Sequence, residues 1–144
     1  MSEPQTWKAA PPPPQPLPDA LSQPYWDHAA RGELALPRCQ TCKAWHATPL
    51  EFCRKCGGQY AYEVVSGEGE VYSFLTEHHR VAPGFDDLLP YVVALVSPKE
   101  APELRLASRL DGVRPGEARI GQKVKVRFVD LPGGDFKLPV FAPA

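Results

Sequence analysis

At 144 residues the chain fits one ordinary domain, or a small module joined to a larger one, and excludes a large enzyme scaffold. Lysine and arginine total 16 against 17 aspartates and glutamates, a net charge of -1, which gives the chain no electrostatic footprint for nucleic acid or an anionic membrane. With 18 prolines and 11 glycines, long helices give way to short elements and turns.

The N-terminus has no basic region followed by an apolar stretch, and no window approaches the roughly 18 apolar residues that span a bilayer. A cytoplasmic protein is expected. In that reducing compartment paired cysteines favour zinc over iron or redox thiols and over structural disulfides.

Pro4, the run Pro11 to Pro14, Pro16 and Pro18 lock φ and remove backbone donors, so residues 1–21 read as a disordered leader of polyproline character. Order is expected from Ser22, a helix N-cap, with Pro24 tolerated in the first turn and Gly32 just past the end. The helix, about Gln23 to Arg31, carries Tyr25, Trp26, Ala29 and Ala30 on one side. Two turns are marginal alone, so this face must dock on its own domain or on a partner.

Cys39 and Cys42 form one C-x-x-C pair and Cys53 and Cys56 another, with ten residues between them. This is zinc-ribbon spacing. Two such turns point four thiolates at one tetrahedral ion and leave no position open for water, so the metal is structural rather than catalytic. Zinc is preferred to iron on this pattern. Arg38, Lys43, Arg54 and Lys55 flank the thiolates and offset the formal charge of about -2 of a tetrathiolate zinc. His46, between the knuckles, is a fifth donor type that four cysteines make unnecessary. The ribbon module is expected over 22–62.

From Tyr60 the hydrophobic period changes to two. Tyr60 to Val65, Gly69 to Arg80, Tyr91 to Ser97, Leu104 to Leu110, Lys123 to Asp130 and Leu138 to Ala142 read as strands. Val124, Val126 and Phe128 alternate with Lys123, Lys125 and Arg127, giving a core face and a basic face. So many short strands in about 80 residues, without room for crossover helices, predict an antiparallel sheet curled into a five-stranded barrel over 63–144. An OB-type and an SH3-like barrel both satisfy this pattern.

The order of features carries a resemblance. Tyr25-Trp26 is followed by Gly32-Glu33-Leu34, the pair at Cys39, Thr48-Pro49 and the pair at Cys53. Then come Gly67-Glu68-Gly69-Glu70-Val71-Tyr72-Ser73-Phe74, Pro90-Tyr91-Val92-Val93-Ala94 and Ile120-Gly121-Gln122-Lys123-Val124. From Pro24 to Ala142 this string resembles domain of unknown function family 35, a rubredoxin-like zinc ribbon joined to an OB fold. Lys43 and Arg54 depart from it, standing where the family often has Gly and Pro. The resemblance implies a mainly β fold and an accessory role in acyl-CoA metabolism. It implies a partner from the thiolase superfamily in a hetero-oligomer, such as a thiolase or a thiolase-like aldolase of steroid side-chain breakdown. Ribbon and helix would help bind that partner, with the barrel near a coenzyme A channel and a coenzyme A thioester as ligand.

No catalytic constellation is evident. The cysteines are consumed by metal, and no G-x-S-x-G turn occurs. Gly67-Glu68-Gly69 and Gly133-Gly134 lack the length and lysine of a phosphate loop and read as turns. The candidate contacts to a partner or to acyl-CoA are Tyr25, Trp26, His78, His79, Arg80, Phe85, Lys123, Lys125 and Arg127. In this reading the loop from His79 to Leu89 reaches a partner's active site, where Arg80 meets a phosphate or carboxylate and Phe85 closes an apolar channel. The competing readings are a single-stranded nucleic-acid-binding OB module, an accessory subunit of an acyl-CoA hydratase, and a stand-alone thioesterase or hydratase.

Overall fold

The computed structural model describes Trp7 and residues 11–144; Pro4 and the rest of the expected leader's beginning lie outside them. Helix α1 spans Gln23–Ala30 with Pro24 in its first turn, where a missing N–H removes no helical bond. Ser22 precedes it, but its hydroxyl caps no helix amide. The organising group is Asp19, which accepts the Ser22 hydroxyl and the amides of Ser22 and Leu21. Those bonds, the hydroxyl first, hold its carboxyl below its ordinary value.

Strands β1 (Ala35–Cys39) and β2 (Tyr60–Val64) pair antiparallel, from Ala35 opposite Val64 to Cys39 opposite Tyr60. The return from Trp45 makes a single bridge to Arg38 and is otherwise loop. Both cysteine turns therefore hang from the far end of a two-stranded ribbon.

The remaining strands are β3 (Glu68–Glu77), β4 (Tyr91–Pro98), β5 (Leu106–Leu110), β6 (Lys123–Asp130) and β7 (Lys137–Pro143). They close into a barrel in the order β3-β4-β5-β7-β6. Three strands in a meander with the last two returned in reversed order are the five-stranded Greek-key topology of an OB barrel, which separates it from the SH3-like alternative. Closure at β5–β7 is a parallel contact at Leu110 and Phe141. Expected Gly69 to Arg80 shortens, because the chain leaves the sheet after Glu77. Of Gly67-Glu68-Gly69, expected as a turn, only Gly67 precedes the strand: Glu68 and Gly69 open β3, opposite Lys125 and Val124. Gly67 has φ +79, and a Cβ there would meet Val126 at 2.2 Å.

One hydrophobic cluster serves ribbon and barrel. Leu34 and Leu36 from the ribbon side join Val71, Val92, Val96, Leu110, Val124 and Phe141. Leu36 is 1% exposed, and full burial of such a side chain contributes about 1.5–3 kcal/mol. Tyr25 packs against the same cluster, and Trp26 meets Phe136 edge-on at 5.3 Å. The aromatic face of α1 thus docks on its own chain, tying the helix to the start of β7.

Proline content predicts a disordered leader, but Trp7, Pro13 and Gln15 lie against the barrel. Pro13 is buried, and the Gln15 amide donates to the Pro132 carbonyl at 2.9 Å. Proline restricts the backbone but leaves the chain free to dock as an extended segment.

Candidate functional site: a four-cysteine metal centre and its surroundings

The Cys39 amide binds the Ala44 carbonyl and the Cys53 amide binds that of Gly58, folding each C-x-x-C segment back on itself. Within these turns the Cys42 amide points at Cys39 Sγ at 3.5 Å and the Lys55 amide at Cys53 Sγ at 3.4 Å. All four Sγ atoms lie within 4.8 Å of one another, with Cys39 to Cys56 at 3.5 Å and Cys42 to Cys53 at 3.7 Å. Four bonds of about 2.3 Å to a tetrahedral zinc require sulfur edges of about 3.8 Å. The cluster fits one structural zinc, and no coordination position is left for a substrate. Its chemistry is to hold the ribbon closed.

The amides also prepare the thiols. The Cys42 amide, foremost, brings the Cys39 thiol down to about 6. Burial opposes ionisation of Cys53, but the amides of Lys55 and Cys56 and the His46 ring bring it to about 7. The Ala44 amide favours the Cys42 thiolate, yet burial and the three neighbouring sulfurs push it up to about 11. Four adjacent thiols cannot all ionise without a cation between them, which is what a divalent metal supplies. His46 stands 3.8 Å from Cys53 Sγ, its ring against Tyr60, so it serves as a hydrogen-bonding neighbour of a ligand.

Of the expected cations, Arg38 is turned away from the sulfurs. It donates to the Lys43 carbonyl, pairs with Glu63 at 3.5 Å and stacks over Trp45 at 4.6 Å. Lys43 has φ +64, a left-handed conformation that favours glycine over a residue with a Cβ.

The remaining candidates do not converge. His78 and His79 lie in the exposed bend beyond β3, not on the strand, and the His79 amide donates to Glu77. Arg80 is exposed and pairs with Asp86 at 3.5 Å. Phe85 faces inward, between Tyr91 and Trp7. Lys123 pairs with Glu70 and Lys99 with Glu68 along an open groove of about 470 Å³. In that groove the carboxylates offset the positive charge a phosphate would seek, although Lys125 stays exposed opposite Glu68. Arg127 departs from the stripe: its guanidinium donates to the buried Asp111 carboxylate. A second groove, about 560 Å³, runs between α1 and the ribbon past Leu21, His28, Leu50, Phe52 and Tyr62. Phe52 is 53% exposed there. Sequence reasoning missed Asp111, whose only local signal was its place in the Asp111-Gly112 turn.

Two family models match in tandem, the ChsH2 rubredoxin-like zinc ribbon domain over residues 26–63 and the ChsH2 C-terminal OB-fold domain over residues 62–129. The structure named Ltp2-ChsH2(DUF35) aldolase superposes with a TM-score of 0.80 at 32% identity, over 90% of this chain and 98% of that chain. The chain belongs to the ChsH2/DUF35 family. A DUF35 protein of unknown function from Sulfolobus solfataricus shares the fold at 12% identity, with a TM-score of 0.58 over 87% of this chain and 86% of that one.

Among curated relatives, a probable enoyl-CoA hydratase alpha subunit of Thermomonospora curvata is 36% identical over 83% of this chain. The 3-oxo-4,17-pregnadiene-20-carboxyl-CoA hydratase alpha subunit of Mycobacterium tuberculosis is 29% identical over 88% of it. The ChsH2/DUF35 chain described here spans 37% and 41% of their lengths. Among the described residues no helix is long and apolar enough to cross a membrane.

Proposed function

We propose that the chain is a non-catalytic accessory subunit that binds a thiolase-like aldolase of steroid side-chain degradation and helps form its acyl-CoA site. The observation that carries this reading is the match over nearly the whole length of the chain named Ltp2-ChsH2(DUF35) aldolase. The metal centre agrees with it, since four cysteines close the coordination shell and give the ion a scaffolding task. The exposed His78 to Pro83 segment and the groove past Phe52 supply unoccupied surface for a partner. The names of the curated relatives favour a second reading, in which the same module serves an acyl-CoA hydratase.

Affinity purification of the tagged full chain from its native cell tests both. Recovery of a thiolase-like enzyme that cleaves a β-hydroxyacyl-CoA supports the aldolase reading. A partner that instead adds water across an enoyl-CoA supports the hydratase reading. Turnover of acyl-CoA by the isolated chain, abolished by His78→Ala, would overturn both.

A further inference from the structure

The leader is held at defined points. The Trp7 indole donates to the Gly84 carbonyl at 2.7 Å, and its ring lies 5.4 Å from Phe85, which in turn lies 6.3 Å from Tyr91. The Arg109 guanidinium sits 5.8 Å from the Trp7 ring. Farther along, the Gln15 amide bridges the carbonyls of Pro13 and Pro132. The Leu17 side chain, 95% exposed, takes no part in the grip.

Glycines on two separate loops make room for it. Gly84 has φ +90, and a Cβ there would stand 2.2 Å from the Pro13 nitrogen. At Gly133, also φ +90, it would stand 2.5 Å from Pro12 Cβ, and at Gly134 2.3 Å from Gln15 Oε1. The walls, one from the loop between β3 and β4 and one from the turn between β6 and β7, therefore admit a backbone that side chains would exclude. An extended proline-rich segment loses little conformational entropy on docking and presents free carbonyls and ring faces, which aromatic-lined grooves read.

We propose that this slot is a recognition groove for a proline-rich extended segment, occupied by the chain's own leader, and that the occupant clamps the 78–90 loop to the barrel. The loop has its own anchor in Leu88, which is fully buried. Its other half, His78 to Pro83, has only exposed or partly exposed side chains. The leader grips between them, at Gly84 and Phe85, and so fixes the segment that carries His78, His79 and Arg80. The consequence for a partner's acyl-CoA site rests on the proposed function; the clamp itself does not.

Hydrogen exchange by mass spectrometry on the full-length chain tests the clamp without any partner. In Trp7→Ala and in Gln15→Ala, amides of 79–87 should exchange roughly tenfold faster, while those of β4 and β6 stay at the wild-type rate. Leu17→Ala should change neither. Gln15→Ala, which removes the two side-chain bonds to Pro13 and Pro132 at the far end of the groove, keeps the test decisive should Trp7→Ala loosen the barrel. Wild-type exchange across 79–87 in both variants, or acceleration spread evenly over all strands in both, would overturn the proposal.

Discussion

Asp111, at the end of β5, accepts the guanidinium of Arg127 from β6 across the intervening β7. The same carboxylate takes Arg109 on its other oxygen at 2.8 Å, and the Asp111 amide donates to the Phe141 carbonyl at 2.7 Å. One acidic residue thus spans the seam where the barrel closes. Removing a buried partner leaves charge uncompensated, so Asp111→Ala should destabilise the chain by about 3 kcal/mol, at the low end because Arg127 is 39% exposed. Urea unfolding followed by circular dichroism measures this. Arg127→Lys should cost about 1 kcal/mol, because a lysine loses the planar fork but keeps the charge.

Alkali should expose the role of Tyr25. Burial, aided by Tyr62, pushes its hydroxyl up to about 12 from 10.0. Because the folded value is raised, the neutral phenol contributes fully below pH 10, and that contribution is lost as pH rises through 12. Two units correspond to about 2–3 kcal/mol. Tyr25→Phe should therefore lose less stability than wild type between pH 10 and 12, measured as the difference between two denaturation series. Parallel curves would show that the phenol is not held neutral.

Lys43 occupies a left-handed conformation that costs about 1 kcal/mol for a residue with a Cβ. Lys43→Gly should raise the thermal midpoint of the zinc-loaded chain, although glycine's greater unfolded-state freedom offsets part of the gain. A lowered midpoint would mean that the lysine side chain contributes more than its backbone strain.

Metal and ribbon should be lost together. Cys39→Ser or Cys56→Ser should abolish stoichiometric zinc, read by elemental analysis, and free the amides of β1 and β2 to exchange, because metal binding and folding are coupled in such modules. Retained zinc together with retained ribbon protection would remove the metal centre from the account.

What the sequence showed plainly was local. The cysteine turns and the alternation of Val124, Val126 and Phe128 each depend on residues a few positions apart, where geometry follows from spacing. What it hid was made by closure. Arg127 alternates with Lys125 exactly as a solvated cation would, and only the seam brings Asp111 beneath it. The leader is hidden for a different reason: proline reports on backbone stiffness and says nothing of docking. The available signal was Trp7, a large indole in a segment otherwise too poor in apolar surface to fold.

The accessory role is tested most directly by assaying a co-purifying thiolase-like enzyme at matched concentration with and without this chain. We predict that cleavage of its acyl-CoA substrate, or the stability of the enzyme, depends on the wild-type chain and is not restored by the Cys39→Ser chain. A partner equally active and equally stable alone would contradict the account.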